Sequence, residues 1–215
     1  MTNPPRAVLL DVEGTTSSIA FVADVLFPYA RTHLADFVAR HPAETAPLLD
    51  EVRAETPDEN PVATLLRWID EDRKATPLKT LQGMIWAEGY ADGTLKGHVY
   101  PDTVEALRRW REAGIAVHIY SSGSVAAQKQ LFAHSIAGDL TPLLSGHFDT
   151  HVGAKREPGS YRAIADALGL APEDIMFVSD VAAETDAARE AGFAALLIDR
   201  DGDNGDVASL AEVLP

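Results

Sequence analysis

Ala7-Val8-Leu9-Leu10-Asp11-Val12-Glu13-Gly14-Thr15 is the stretch that decides the fold. Four aliphatic residues run without a polar interruption, then stop at two carboxylates, two residues apart, and a glycine. An unbroken apolar run this short is the pattern of a strand buried on both faces, as in a parallel sheet. The glycine marks the turn that ends it. Open α/β sheets bind ligands in the crevice beyond the carboxyl ends of their strands, so Asp11 and Glu13 stand where a nucleophile or metal ligand belongs. An Asp closing a strand before a Gly turn is common, however, and alone it assigns no chemistry.

Outward from that run, the second half of the chain alternates short apolar runs with helical patterns. Pro101 to Glu105 reads as a helix start with Asp102 as N-cap and Glu105 three residues later. Val104, Leu107 and Trp110 continue it at helical spacing, and Gly114 fits the stop. Strands are expected at 115–120, 148–152, 175–178 and 194–198, with helices at 125–134, at 160–168 and ending near Gly192. This alternation predicts a doubly wound parallel α/β sheet, a Rossmann-type core. Residues 17–97 break the rhythm with helical patterns at 21–38, 46–53, 61–73 and 78–89, punctuated by Pro42, Pro47, Pro57, Pro61 and Pro77. An insert this long is no simple crossover. It predicts a separate helical cap over the sheet's carboxyl edge, with residues 1–16 and 98–215 forming the core.

Composition narrows the partners. The 215 residues carry a formal charge of −15, which argues against nucleic acid or an anionic membrane as partner. An anionic substrate would therefore need a local cation. With no cysteine, thiolate catalysis, disulfides and cysteine metal sites are excluded. The apolar run near the N-terminus is too short for a signal peptide, and nothing approaches a membrane span. The expectation is a soluble cytoplasmic monomer.

Four strands end in chemically useful groups: the first in Asp11 and Glu13, the second in Ser121-Ser122-Gly123-Ser124, the fourth in Ser179-Asp180 with Glu184 a helical turn on. Lys155 follows the third, within Gly153-Ala154-Lys155-Arg156-Glu157. In a parallel sheet all converge on one crevice. The order and placement resemble the haloacid-dehalogenase-like phosphatases, one arrangement of which has a helical cap between the first two motifs. Glu13, where most of these phosphatases carry Asp, together with DVEGTTSSIAFVADVLFPYA, YSSGS, GHFDTHVGAKREPGSY and SDVAAE, is similar to the enolase-phosphatases (acireductone synthases) of methionine salvage.

That resemblance implies a small phosphate-ester substrate, one Mg²⁺ and an aspartyl-phosphate intermediate on Asp11. It makes Glu13 the proton donor and acceptor, and Asp11, Glu13 and Asp180 the metal ligands, residue 13 by side chain or backbone carbonyl. Ser121, Ser122 and Lys155 become the substrate contacts, and Glu184 a partner behind the ligands. The family also enolises a diketone before removing phosphate; the base for that step stays open, with Glu13 a candidate.

Other features read more plainly. Asp199 to Gly205 has calcium-loop spacing, but Asn204 and Leu210 occupy the positions where an EF-hand needs Gly and Glu, so it reads as an acidic turn. His147 and His151 read as surface or packing residues on a strand. Trp110 reads as core, Trp86 as core or cap lining, and Arg108-Arg109 as a solvated face. The rival readings are a capped phosphatase for another ester, a haloacid dehalogenase, which needs neither second acid nor metal, and a silent binding module. Asp11, Lys155 and Asp180 are all present, against the last.

Overall fold

The computed structural model describes residues 4–202 and 204–214. Contacts divide the chain into two compact units, one through Ile19 and again from Lys96 onward, the other Ala20–Leu95. The first is built on five parallel strands: β1 (Ala7–Leu10), β2 (Ala116–Tyr120), β3 (Gly146–Phe148), β4 (Ile175–Ser179) and β5 (Ala194–Leu197), in the order β3-β2-β1-β4-β5. β1 is central and every one of its side chains is fully buried, which is why its sequence shows no polar alternation.

Helices of the second unit are α1 (Phe27–Arg40), α2 (Pro42–Glu55), α3 (Pro61–Asp70) and α4 (Thr76–Ala91). Their own core gathers Leu34, Phe37, Leu65, Trp68, Leu81 and Ile85. The single helix expected over 21–38 is interrupted by a π-helical turn, Val22–Leu26, in which the Phe27 N–H reaches back to the Val22 carbonyl. Pro28 explains it: lacking an N–H, it cannot continue the ordinary ladder, and the wider turn absorbs the mismatch. α3 begins as its sequence asks, with Asn60 Oδ1 accepting from the N–H groups of Val62 and Ala63 at 2.9 and 3.2 Å and Pro61 at the first position. It ends at Asp70, short of the expected residue 73. Asp72 takes φ +52°, and the Arg73 N–H returns to the Trp68 carbonyl. This is the Schellman stop with Asp in place of the usual Gly.

In the first unit α5 (Pro101–Glu112), α6 (Val125–Ala133), α7 (Pro158–Leu168) and α8 (Ala182–Glu190) flank the sheet. Asp102 does not cap α5. Its carboxylate is drawn instead to Arg200, the Ser209 hydroxyl and the Leu210 N–H. Arg109 is not a solvated face either, since Nη2 donates to the Leu214 carbonyl at 2.8 Å. The third strand lies at 146–148 rather than 148–152, because Asp149 stops it. Its carboxylate accepts from the N–H groups of His151 and Val125, folding the chain into a turn. His151 is consequently off the strand and exposed, while His147 contacts Gln128. Trp110 is fully buried, and Trp86 donates to the Leu26 carbonyl. No helix among the described residues is long and apolar enough to cross a membrane.

Candidate active site

Parallel pairing opens the carboxyl ends of β1, β2 and β4 on one edge, and register decides what meets there. Leu10 pairs with Ile119 on one side and Val178 on the other, so Asp11, Tyr120 and Ser179 come level. Asp11 adds one more ladder bond, its N–H to the Val178 carbonyl at 3.0 Å, and the residue is only 4% exposed. Beyond it the chain tightens. The N–H groups of Thr15, Thr16 and Ser17 converge on the Val12 carbonyl, and the Thr16 hydroxyl donates to the Asp11 carbonyl. Gly14 sits at φ +70°, and a Cβ there would fall 2.1 Å from Asp180 Oδ2. Glycine therefore serves twice, for its left-handed backbone and for the close approach of a carboxylate.

Lys155 reaches the same place from the loop before α7. Three bonds fasten that loop: Tyr120 hydroxyl to the Gly153 carbonyl, Ser160 hydroxyl to the Ala154 carbonyl, and Tyr161 hydroxyl to the Lys155 carbonyl, at 3.0, 2.7 and 2.6 Å. So held, Lys155 Nζ stands 2.6 Å from Asp11 Oδ1 and 2.6 Å from Glu184 Oε2. Ser179 closes the ring, its Oγ 2.8 Å from Asp11 Oδ2 and 3.0 Å from Glu184 Oε2. A hydroxyl has one proton to give. Ser179 therefore bridges the two carboxyls, donating to one of them at a time.

Burial and the charge of Asp11 raise the Glu184 carboxyl, against the pull of Lys155. For Lys155, burial favours the neutral amine, but the carboxylates of Asp11 and Glu184 outweigh it and hold the ammonium above its ordinary value. Asp180 is pushed up to about 6, first by burial and then by Asp11. Asp11 and Glu184 thus share one ammonium, with the Asp180 carboxyl close enough to Asp11 to feel its charge, and the site is short of positive charge. A hard divalent cation fits that deficit, with Asp180 seated against Gly14 where no side chain can intrude. Among the described residues no three His, Asp or Glu side chains gather into a metal cluster. A cation here would draw on the two carboxylates, Asp11 and Asp180, and on backbone and solvent oxygen.

Of the remaining candidates, Glu13 is exposed in the turn and its backbone bridges to Ser17. Ser121 is buried at the end of β2, its Oγ accepting from the Gly123 N–H at 3.2 Å; Ser122 beside it is exposed. Sequence reasoning gave no role to Ser179, Thr15, Tyr120, Ser160 or Tyr161. Ser179 becomes visible only once β4 is known to pair with β1. In the acidic turn, Asp199 Oδ2 accepts from the Asn204 N–H, while Asp203 lies outside the described residues.

Residues 5–192 match the family described as haloacid dehalogenase-like hydrolase. The chain is 55% identical over 220 residues to enolase-phosphatase E1 of Pseudomonas aeruginosa, covering 97% of this chain and 98% of that one. It is 54% identical over 204 residues to enolase-phosphatase E1 of Methylococcus capsulatus, covering 92% and 90%. The crystal structure of the UTR4 protein from Saccharomyces cerevisiae aligns with a TM-score of 0.79 at 34% identity, over 93% of this chain and 92% of that one. The chain therefore belongs to the haloacid dehalogenase-like hydrolases and, within them, to the enolase-phosphatase family.

Proposed function

We propose that this protein converts 2,3-diketo-5-methylthiopentyl-1-phosphate first to an enol phosphate and then to the acireductone and free phosphate, in methionine salvage. The observation that carries the chemistry is the ring in which Lys155 and Ser179 hold the two Asp11 carboxylate oxygens. A nucleophile fixed at both oxygens needs little reorganisation to reach an in-line geometry. Asp11 attacks phosphorus, the new O–P bond replaces the bond to the enol oxygen, and Glu13 gives the leaving oxygen its proton. Glu13 then accepts a proton from the water that attacks phosphorus and frees Asp11. The exposure of Glu13 suits a group that must meet both leaving group and water.

Lys155, Ser121 and the Ser122 N–H would neutralise the phosphoryl oxygens. Asp11, Asp180 and the carbonyl of residue 13 would hold one Mg²⁺. Bound there, the cation would offset phosphoryl charge and polarise the substrate carbonyl for enolisation. Residues 20–95 would serve as the cap. Incubation with the diketone phosphate, following absorbance and free phosphate together, tests the reading. The expected result is an optical change that precedes or accompanies phosphate release, both abolished by chelator. Hydrolysis of generic phosphate esters with no optical change from the diketone phosphate would refute it.

A further inference from the structure

Arg200 lies in the acidic turn after β5, and the chemistry above has no use for it. Its surroundings are nevertheless those of a built site. The guanidinium sits 4.1 Å from the centre of the Tyr100 ring. Nε and Nη2 both donate to the Thr15 carbonyl, at 3.2 and 2.5 Å. Nη1 pairs with Asp102 Oδ2 at 2.7 Å, with the two side chains only 11% and 18% exposed. Asp102 is itself immobilised, accepting from the Ser209 hydroxyl and the Leu210 N–H. A cation this far desolvated, with donors paired to a carbonyl and a carboxylate and an aromatic ring beside it, is a clamp rather than a surface charge.

What it clamps is the turn that seats Asp180. The Thr15 hydroxyl accepts the Asp180 N–H at 3.1 Å, and the preceding residue is Gly14, against which the Asp180 carboxylate packs. The guanidinium on the Thr15 carbonyl thus fixes, through one residue, both the backbone and the carboxylate of Asp180 relative to Asp11. We propose that Arg200 is a positioning residue of the active site, holding the Gly14-Thr15 turn so that Asp11 and Asp180 keep the spacing a divalent cation requires. It acts without touching the substrate. The inference rests on the metal-dependent phosphatase reading above and deepens it.

The test compares Arg200→Ala and Arg200→Lys with Arg109→Ala. Arg109 also ties down the C-terminal segment, at the carbonyls of Leu210 and Leu214, but does not touch Thr15. Two quantities are read: kcat against KM for the diketone phosphate, and the rise in melting temperature as Mg²⁺ alone is titrated into the protein. Arg200→Ala should lower kcat on the order of a hundredfold, as expected for a misplaced reacting centre, with KM little changed. Its Mg²⁺ titration should shift to several-fold higher concentration. Arg200→Lys, which keeps the charge but loses the planar pair of donors, should recover part of both. Arg109→Ala should melt earlier yet keep native kcat and Mg²⁺ titration.

Equal losses in Arg109→Ala, or unchanged kcat and Mg²⁺ titration in Arg200→Ala, would overturn the proposal. If Arg200→Ala does not fold, Arg200→Lys decides: native values overturn it, an intermediate loss of both supports it. A wild-type protein that binds Mg²⁺ but releases no phosphate would instead sink the functional reading, and the Mg²⁺ titration would still decide the role of Arg200.

Discussion

Replacing Asp180 with Asn should make the metal-free protein more stable and the enzyme useless. The Asp180 carboxyl is raised from an ordinary 3.8 to about 6, by burial first and by Asp11 second. A carboxyl whose folded value lies above its unfolded one favours the fold when protonated. That contribution is complete below about pH 4 and is lost as the pH rises through about 6, so above about pH 7 the native chain carries the whole cost of the charge. A rise of this size corresponds to roughly 3 kcal/mol. The side chain is only half-buried, and screening by solvent brings the figure to about 1–2 kcal/mol. Asn keeps the shape and removes the charge.

In chelator at pH 8, urea denaturation should show Asp180→Asn more stable by about 1–2 kcal/mol, a melting-temperature gain of roughly 2–8 °C for a chain of this size. At pH 4 the gain should vanish. Adding Mg²⁺ should reverse the order, because ligand that binds the native state stabilises it in proportion to occupancy, and the variant lacks a carboxylate proposed to hold the cation. Phosphate release should fall by more than about a hundredfold. Equal or lower stability of the variant at pH 8 would refute the reasoning. So would a gain undiminished at pH 4, since uncompensated charge would then not be its cause.

Four other outcomes follow from particular contacts. Asp11→Asn, shown free of deamidation by mass spectrometry, should fold and release essentially no phosphate, because the amide is a far poorer nucleophile. Gly14→Ala should lose about 1–2 kcal/mol to its left-handed backbone, and its Mg²⁺-induced rise in melting temperature should disappear because the new methyl occupies the place of the Asp180 carboxylate. Asn60→Ala should cost about 1 kcal/mol in a denaturant melt by uncapping α3, with no change in kcat. His118 is buried, its Nδ1 has no hydrogen-bond partner, and burial lowers its pKa. The stability linked to it is complete above about pH 6.5 and is lost as the pH falls through the lower folded value. His118→Leu should flatten the decline in stability measured between pH 6.5 and pH 5.

What the sequence disclosed, and what it hid, separate along a physical line. β1 and the first four residues of β4 are plain because an interior parallel strand is covered on both faces, so its apolar run is unbroken until the strand end. Asp11, Lys155 and Asp180 followed because strand ends in a parallel sheet share one edge. β3 was drawn too late by two residues because its apolar tail, through Val152, continues past the point where Asp149 captures two N–H groups and bends the chain. Asp72 hid the end of α3 for a similar reason: it does the work of a Gly without being one.

The contacts that position the chemistry were the least visible, because each depends on long-range pairing. Ser179 meets Asp11 across 168 positions, and Arg200 meets Thr15 across 185. Neither pairing leaves a local periodicity to read. Asp102 illustrates the cost of reading locally. It has the type and spacing of an N-cap, yet its carboxylate binds Arg200, because capping one exposed N–H is worth about 1 kcal/mol, less than a largely buried charged pair with two further donors. Local rules failed here at the residues that hold the Gly14-Thr15 turn in place. That is the behaviour expected where a sequence gives up a local preference for a site.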